Sequence, residues 1–282
     1  MPIGYTQSQS MYKFCLLFCA PQIPVFIWCV TDNCKRSITR SVPHALLVHG
    51  GSHGAWCWAD VQQYLCNEGV DSTAFDLPGS GEDRTPRANL DIDAYIAACI
   101  SQIDAIDQDV ILVGHSLAGL TFPGVIAQRA ARIVHALFIA ALVTSRGERG
   151  IDSIPTDRRP SYYEMAEQSP DNSLLPSFEA AWDRFFPSLD KHRAQQMYER
   201  LTPQPLGPYL QANSVEPREL NVPSTFVVLE EDRTFPVPVA RDFAQKLGVD
   251  PIIRPGDHCW MITDPQRCAN TIVELVHSER GK

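Results

Sequence analysis

Apolar positions along the chain change their period repeatedly, and each change marks an element. From Pro43 onward, short fully apolar runs alternate with stretches in which apolar residues recur every three or four positions. Residues 44–48 form an apolar run that ends at His49-Gly50-Gly51. Such a run, bounded by turn residues, reads as a buried strand. Residues 59–68 read as a helix stopped by Gly69, because glycine takes the left-handed helix cap without a Cβ penalty. Residues 71–77 read as a strand closed by Pro78-Gly79-Ser80-Gly81, a loop signal. Ile92, Tyr95, Ile96, Cys99, Ile100, Ile103 and Ile106 share one helical face. Strand 110–113, helix 117–130 and strand 136–143 follow.

The rhythm breaks between Ser145 and Asn221. This insert, about 145–221, is rich in proline, charge and aromatics, among them Tyr162, Tyr163, Trp182, Phe185, Phe186, Tyr198 and Tyr209. Several short helices are expected there. Alternation resumes with strand 225–229, helix 239–247, strand 251–254 and helix 265–278. Strands that alternate with helices predict an α/β fold, a mostly parallel central sheet with helices on both faces.

Composition narrows the function classes. With 282 residues, 44% apolar and 20% charged, the chain can bury a sizeable core. A net charge of −9 with no Lys/Arg run disfavours nucleic acid and anionic membrane surfaces as partners. No stretch is long and apolar enough to read as a spanning helix. The nine cysteines are scattered and form no CxxC pair. They read as small buried hydrophobes of a reducing compartment, so a cytoplasmic location is expected.

Residues 1–42 stand apart from the 43–282 domain. They carry four basic residues (Lys13, Lys35, Arg36, Arg40) and one acid (Asp32), a net of +3 that leaves −12 on the rest. Their apolar run is broken by Pro21 and Pro24 and lacks a small-x-small cleavage site. The expectation is a disordered extension or a weak targeting segment. Were it a signal peptide, the protein would be secreted.

The strongest chemical signal is Val113-Gly114-His115-Ser116-Leu117-Ala118-Gly119. A buried strand ends, a serine follows, and a helix begins at once. Serine also caps helices, but a strand-turn-helix setting is that of an exposed nucleophile on a strained turn. The flanking positions must be small, and Gly114 and Ala118 satisfy this. A serine hydroxyl needs a base. His258, in Pro255-Gly256-Asp257-His258, follows the last strand and is the candidate. The acid that orients it should follow the preceding strand, where Glu230-Glu231-Asp232 offers three carboxylates. Asp232 is favoured, with Glu231 as the alternative. The backbone N–H of Leu117 is one candidate oxyanion donor, at a helix N-terminus. The second belongs to the glycine-rich loop after the first strand, with Gly51 favoured. His49, His53 and Cys57 fall four apart, a zinc-like spacing on a helix, but Gly50, Gly51 and Gly54 argue against a helix there.

With these residues in place, the chain from Pro43 onward resembles the α/β-hydrolase fold family. Within it, the chain is similar to the group of plant methyl esterases, the salicylate-binding kind included, and plant α-hydroxynitrile lyases. The shared features are His49-Gly50, His53-Gly54-Ala55-Trp56 and Trp58, Asp76-Leu77-Pro78-Gly79, Gly114-His115-Ser116, Asp232 with Pro236, and Asp257-His258. The resemblance implies that the insert is a cap over the active site. It also implies a small carboxylic ester as substrate, cleaved through a Ser116–His258–Asp232 triad and an acyl-enzyme without metal or cofactor. Trp182 and His115 are the substrate-contact candidates. In the lyases a Thr follows the first loop histidine and a Lys follows the catalytic one. Here those positions hold Gly50 and Cys259, which points to the esterase. A lyase-type relay and a catalytically silent binding protein stay open as alternatives. By the same logic, Gly50→Thr with Cys259→Lys is expected to move activity toward cyanohydrin cleavage. The oligomeric state stays open, with a homodimer among the options.

Overall fold

The computed structural model describes residues 42–280. Expectations for the N-terminal extension concern residues that lie almost entirely outside this range. The alternation of runs and amphipathic stretches becomes β1 (His44–Val48), α1 (Ala59–Asn67), β2 (Ser72–Phe75), α2 (Ile92–Ala105), β3 (Val110–His115), α3 (Ala118–Arg129) and β4 (Ile133–Ile139). The 136–143 strand is corrected. It starts at Ile133 and ends at Ile139, and residues 140–143 are buried loop. Apolarity alone could not separate buried strand from buried coil.

After β4 the chain runs through α4 (Arg159–Gln168), β5 (Ser173–Leu174), α5 (Phe178–Phe185), α6 (Lys191–Tyr198), β6 (Gln204–Pro205) and α7 (Gly207–Leu210). It then returns to the main sheet with β7 (Ser224–Leu229), α8 (Val237–Leu247), β8 (Ile252–Arg254), α9 (Trp260–Thr263) and α10 (Pro265–Glu279).

The main sheet has six strands in the order β2-β1-β3-β4-β7-β8, and every pairing is parallel. Buried side chains on its two faces form two separate clusters. One gathers Leu46, Leu112, Phe138 and Phe226 with α2, α3 and α8; the other gathers Leu47, Val113, Leu137 and Val227 with α1 and α10. This two-sided burial is why the strands read as continuous apolar runs.

Strand order positions the site. The chain moves outward from β1 to β2, then reverses to place β3 on the other side of β1. At such a switch point the loops leaving the two strands diverge and open a crevice at their carboxyl ends. Val48 is paired with Gly114 there, so the loop after β1 and Ser116 lie side by side. Four of the five described cysteines are buried free thiols; Cys66, on α1, is exposed. Among the described residues no helix is long and apolar enough to cross a membrane.

Candidate active site

Ser116 opens the two-residue turn, Ser116-Leu117, between β3 and α3 and has φ of +52°. A non-glycine residue held in the left-handed region costs about 1–3 kcal/mol. Surrounding contacts impose it. Ser116 N–H donates to Ile139 O at 3.1 Å, and its carbonyl accepts from Gly119 N–H (3.1 Å) and Leu142 N–H (2.9 Å). The small-residue requirement is also visible, since a Cβ on Gly114 would lie 2.3 Å from the Phe122 ring.

His258 lies in the loop after β8. Its Nε2 accepts from the Ser116 hydroxyl at 3.0 Å, and its Nδ1–H donates to Asp232 Oδ2 at 2.8 Å. Asp232 follows β7 in a side-chain turn. Its Oδ1 accepts from the N–H groups of Thr234 (2.7 Å) and Phe235 (2.9 Å), which leaves Oδ2 aimed at the imidazole. Both side chains of that pair are almost fully buried. The alternatives fall elsewhere. Glu231 is exposed and its carboxylate accepts from Gly256 N–H. Asp257 accepts from Ser188 Oγ (2.6 Å) and Thr263 Oγ1 (2.7 Å), tying the histidine loop to the segment after α5.

Gly51 and Leu117 both border the cavity above Ser116. Among the described residues neither N–H has a protein acceptor, so both are available to an oxygen bound there. Side chains brace the Gly51 loop from two sides. Asp76 accepts from Ala55 N–H at 2.6 Å and Glu82 N–H at 2.8 Å, which accounts for the aspartate of the Asp76-Leu77-Pro78-Gly79 motif. Gln204, on β6, accepts from Ser52 N–H at 3.3 Å through Oε1.

The histidines near the site are kept neutral. Burial lowers His115 far below the usual histidine range, and the facing His258 adds to the effect. Burial brings His53 down to about 3. His115 Nε2–H donates to His258 O at 2.9 Å, while its Nδ1 has no protein partner. His115 borders the cavity, and its ring lies 4.7 Å from that of His258. His49 and His53 direct Nδ1–H to the carbonyls of Gly50 and Gly51 at 2.8 Å, holding the loop from within. The Cys259 thiol donates to His53 Nε2 at 3.4 Å, and burial pushes that thiol well above its ordinary range.

Two expectations are corrected. Trp182 does not border the cavity. Its indole N–H donates to Leu189 O at 2.9 Å and its ring stacks on Phe178, so it packs the inside of the insert. Tyr162, Arg184, Phe185, Gln204 and Tyr209 border the cavity from the insert instead. Of these, Tyr162 carried a readable signal, being one turn from Met165 on the same face of α4. The Gly50→Thr exchange also meets an obstacle: a Cβ there would lie 2.7 Å from His115 Nδ1 and 2.8 Å from Ser116 Cβ.

A serine hydroxyl hydrogen-bonded to an imidazole, a buried carboxylate behind it, and two cavity-lining residues whose N–H groups have no acceptor among the described residues make an arrangement that can carry out acyl transfer. The fold agrees with known proteins. Residues 45–271 match a protein-family model described as the alpha/beta hydrolase family. Salicylic acid-binding protein 2 of Nicotiana tabacum is 27% identical over 262 residues, covering 83% of this chain and 97% of that protein. Methylesterase 3 of Arabidopsis thaliana is 26% identical over 256 residues, covering 83% and 96%. An extracellular alpha/beta-hydrolase from a Paenibacillus species superposes with a TM-score of 0.76 at 24% identity, covering 82% and 98%, a likeness of fold. Since the family match spans nearly the whole described chain and every strand of its main sheet, this protein belongs to the alpha/beta hydrolase family.

Proposed function

We propose that the protein is a serine hydrolase of small carboxylic esters, working through an acyl-enzyme. The observation that carries this reading is the unbroken hydrogen-bond chain from Ser116 Oγ through His258 to Asp232, at 3.0 and 2.8 Å. Ser116 Oγ attacks the ester carbonyl and its proton passes to His258 Nε2. The carbonyl oxygen becomes an oxyanion held by the Gly51 and Leu117 N–H groups. Collapse breaks the ester C–O bond, and His258 gives its proton to the departing alcohol. Water then attacks the acyl-enzyme with His258 as base, releasing the acid and restoring Ser116. Asp232 keeps Nδ1 protonated and stabilises the imidazolium. His53 and His115, both neutral, add no competing positive charge.

Esterase is favoured over cyanohydrin lyase by Cys259. A departing cyanide would need a cation in a low-dielectric site, and this position holds a neutral thiol bonded to His53. The test is labelling by a fluorophosphonate together with hydrolysis of a simple aryl ester. Wild type should react with both. Ser116→Ala should lose labelling and about 10⁶-fold in turnover, while melting at the wild-type temperature. Turnover retained within tenfold would remove Ser116 from the mechanism. An unlabelled, inert wild type would favour the silent binding protein.

A further inference from the structure

The cavity carries an unneutralised positive charge. Among the described residues, Arg184, on α5, is the one Lys, Arg, Asp or Glu that borders it. Its Nε–H donates to Ala180 O at 3.1 Å, one turn back on its own helix. Among the described residues its two terminal nitrogens have no carboxylate or carbonyl partner. The chain has 33 acids to 24 bases, so a partner would be easy to supply. Neighbouring Asp183 pairs with Arg233 instead. A half-buried guanidinium left without a counter-charge is costly unless a ligand provides one.

The surroundings of Arg184 point the same way. The Phe185 ring touches both ends of the site, with its centroid 5.7 Å from Arg184 Cζ and 6.0 Å from the His258 ring. One aromatic side chain therefore links the guanidinium to the reacting centre. Two phenols share this wall. Tyr162 and Tyr209 pack edge to face at 5.6 Å, and among the described residues neither hydroxyl has a protein partner. The Tyr209 hydroxyl sits beside Gly51, 3.1 Å from where a Cβ on that residue would be. Burial raises both phenols and keeps them protonated, while the nearby Arg184 charge acts on both in the opposite direction. They are therefore neutral donors next to a fixed cation, and no acid faces them in the cavity.

We propose that the ester accepted here carries a second, anionic group, a carboxylate held by the Arg184 guanidinium with Tyr162 and Tyr209 donating beside it. The inference rests on the hydrolase reading above and names its substrate class: half-esters and acylated hydroxy acids rather than neutral esters. Arg184 acts as a specificity-determining residue.

Two substrate pairs test this and separate the two places the anion could sit. Monomethyl glutarate against methyl pentanoate puts it in the acyl part; O-acetyl glycolate against ethyl acetate puts it in the alcohol part. For at least one pair kcat/KM should favour the carboxylate by about tenfold or more, the size of a hydrogen bond to a charged group. That ratio should fall with added salt. Arg184→Met should bring it close to one, with Arg184→Lys between. Affinity is read separately, by calorimetry of monomethyl glutarate and O-acetyl glycolate on Ser116→Ala with Arg184 intact or changed to Met. This arm does not depend on turnover, so an inactive wild type would overturn the hydrolase reading and leave the binding result standing. Neutral esters favoured in both pairs, or no loss of carboxylate affinity in the Met variant, would overturn the proposal.

Discussion

Asp232 and Glu231 are adjacent carboxylates with different surroundings. Asp232 is buried, has both backbone donors on one oxygen, and spends the other on His258. Glu231 is exposed and accepts from the Gly256 backbone. Asp232→Asn should cost about 10⁴ in kcat by favouring the wrong histidine tautomer. Glu231→Gln should stay within a few-fold of wild type. Steady-state kinetics on one aryl ester checks both, and the reverse ranking would reassign the acid. Gly50 is constrained as tightly. It backs onto His115 Nδ1 and Ser116 Cβ, so even Gly50→Ala should displace the nucleophile turn. A lower melting temperature together with at least a hundredfold loss of kcat is expected, because a misplacement of about 1 Å can cost that much. A fully active Gly50→Ala variant would show that the turn has slack. Gly50→Thr is accordingly expected to damage the site rather than to convert it.

The insert divides into packing helices and a cavity wall. Trp182 belongs to the packing, so Trp182→Ala should destabilise the fold by roughly 2–4 kcal/mol, as large-to-small changes do. Hydrolysis of short and long acyl esters should then fall together. Met165 belongs to the wall, one turn from Tyr162 on α4. Met165→Ala should instead change the ratio of short- to long-acyl hydrolysis several-fold while leaving the melting temperature within a few degrees. A panel of acyl chain lengths, read beside thermal melts, distinguishes the two behaviours. A selectivity change in the Trp182 variant would return that residue to the substrate.

Several histidines are buried where charge is penalised. Burial lowers His49 and His115 and brings His53 to about 3. In the unfolded chain these rings take up protons near pH 6.5. Between about 3 and 6.5 the unfolded state therefore binds more protons than the native one, and stability rises with pH across that window. Urea midpoints should fall steadily from pH 6.5 to pH 4. His53→Asn should flatten the slope by up to one proton. A midpoint that stays level or climbs toward pH 4 would contradict the neutral, buried histidines.

What the chain declares by itself is whatever depends on neighbours in sequence. Period and turn residues were enough to predict the alternating elements, and the tight strand-serine-helix junction marked Ser116. Order along the chain then ranked Asp232 and His258 as its partners. The structure brings these three together at hydrogen-bond distance. The local signals sufficed because burial on both sheet faces leaves continuous apolar runs, and because only small residues fit beside the turn. Tertiary structure decided which aromatic side chains of the insert reach the cavity. It put Tyr162, Phe185 and Tyr209 there and turned Trp182 toward Leu189. It also set Gly50 against His115 and, among the described residues, left the Arg184 guanidinium without a carboxylate partner. In short helices joined by loops, the direction of a side chain is set by packing against residues distant in sequence, which no local period encodes.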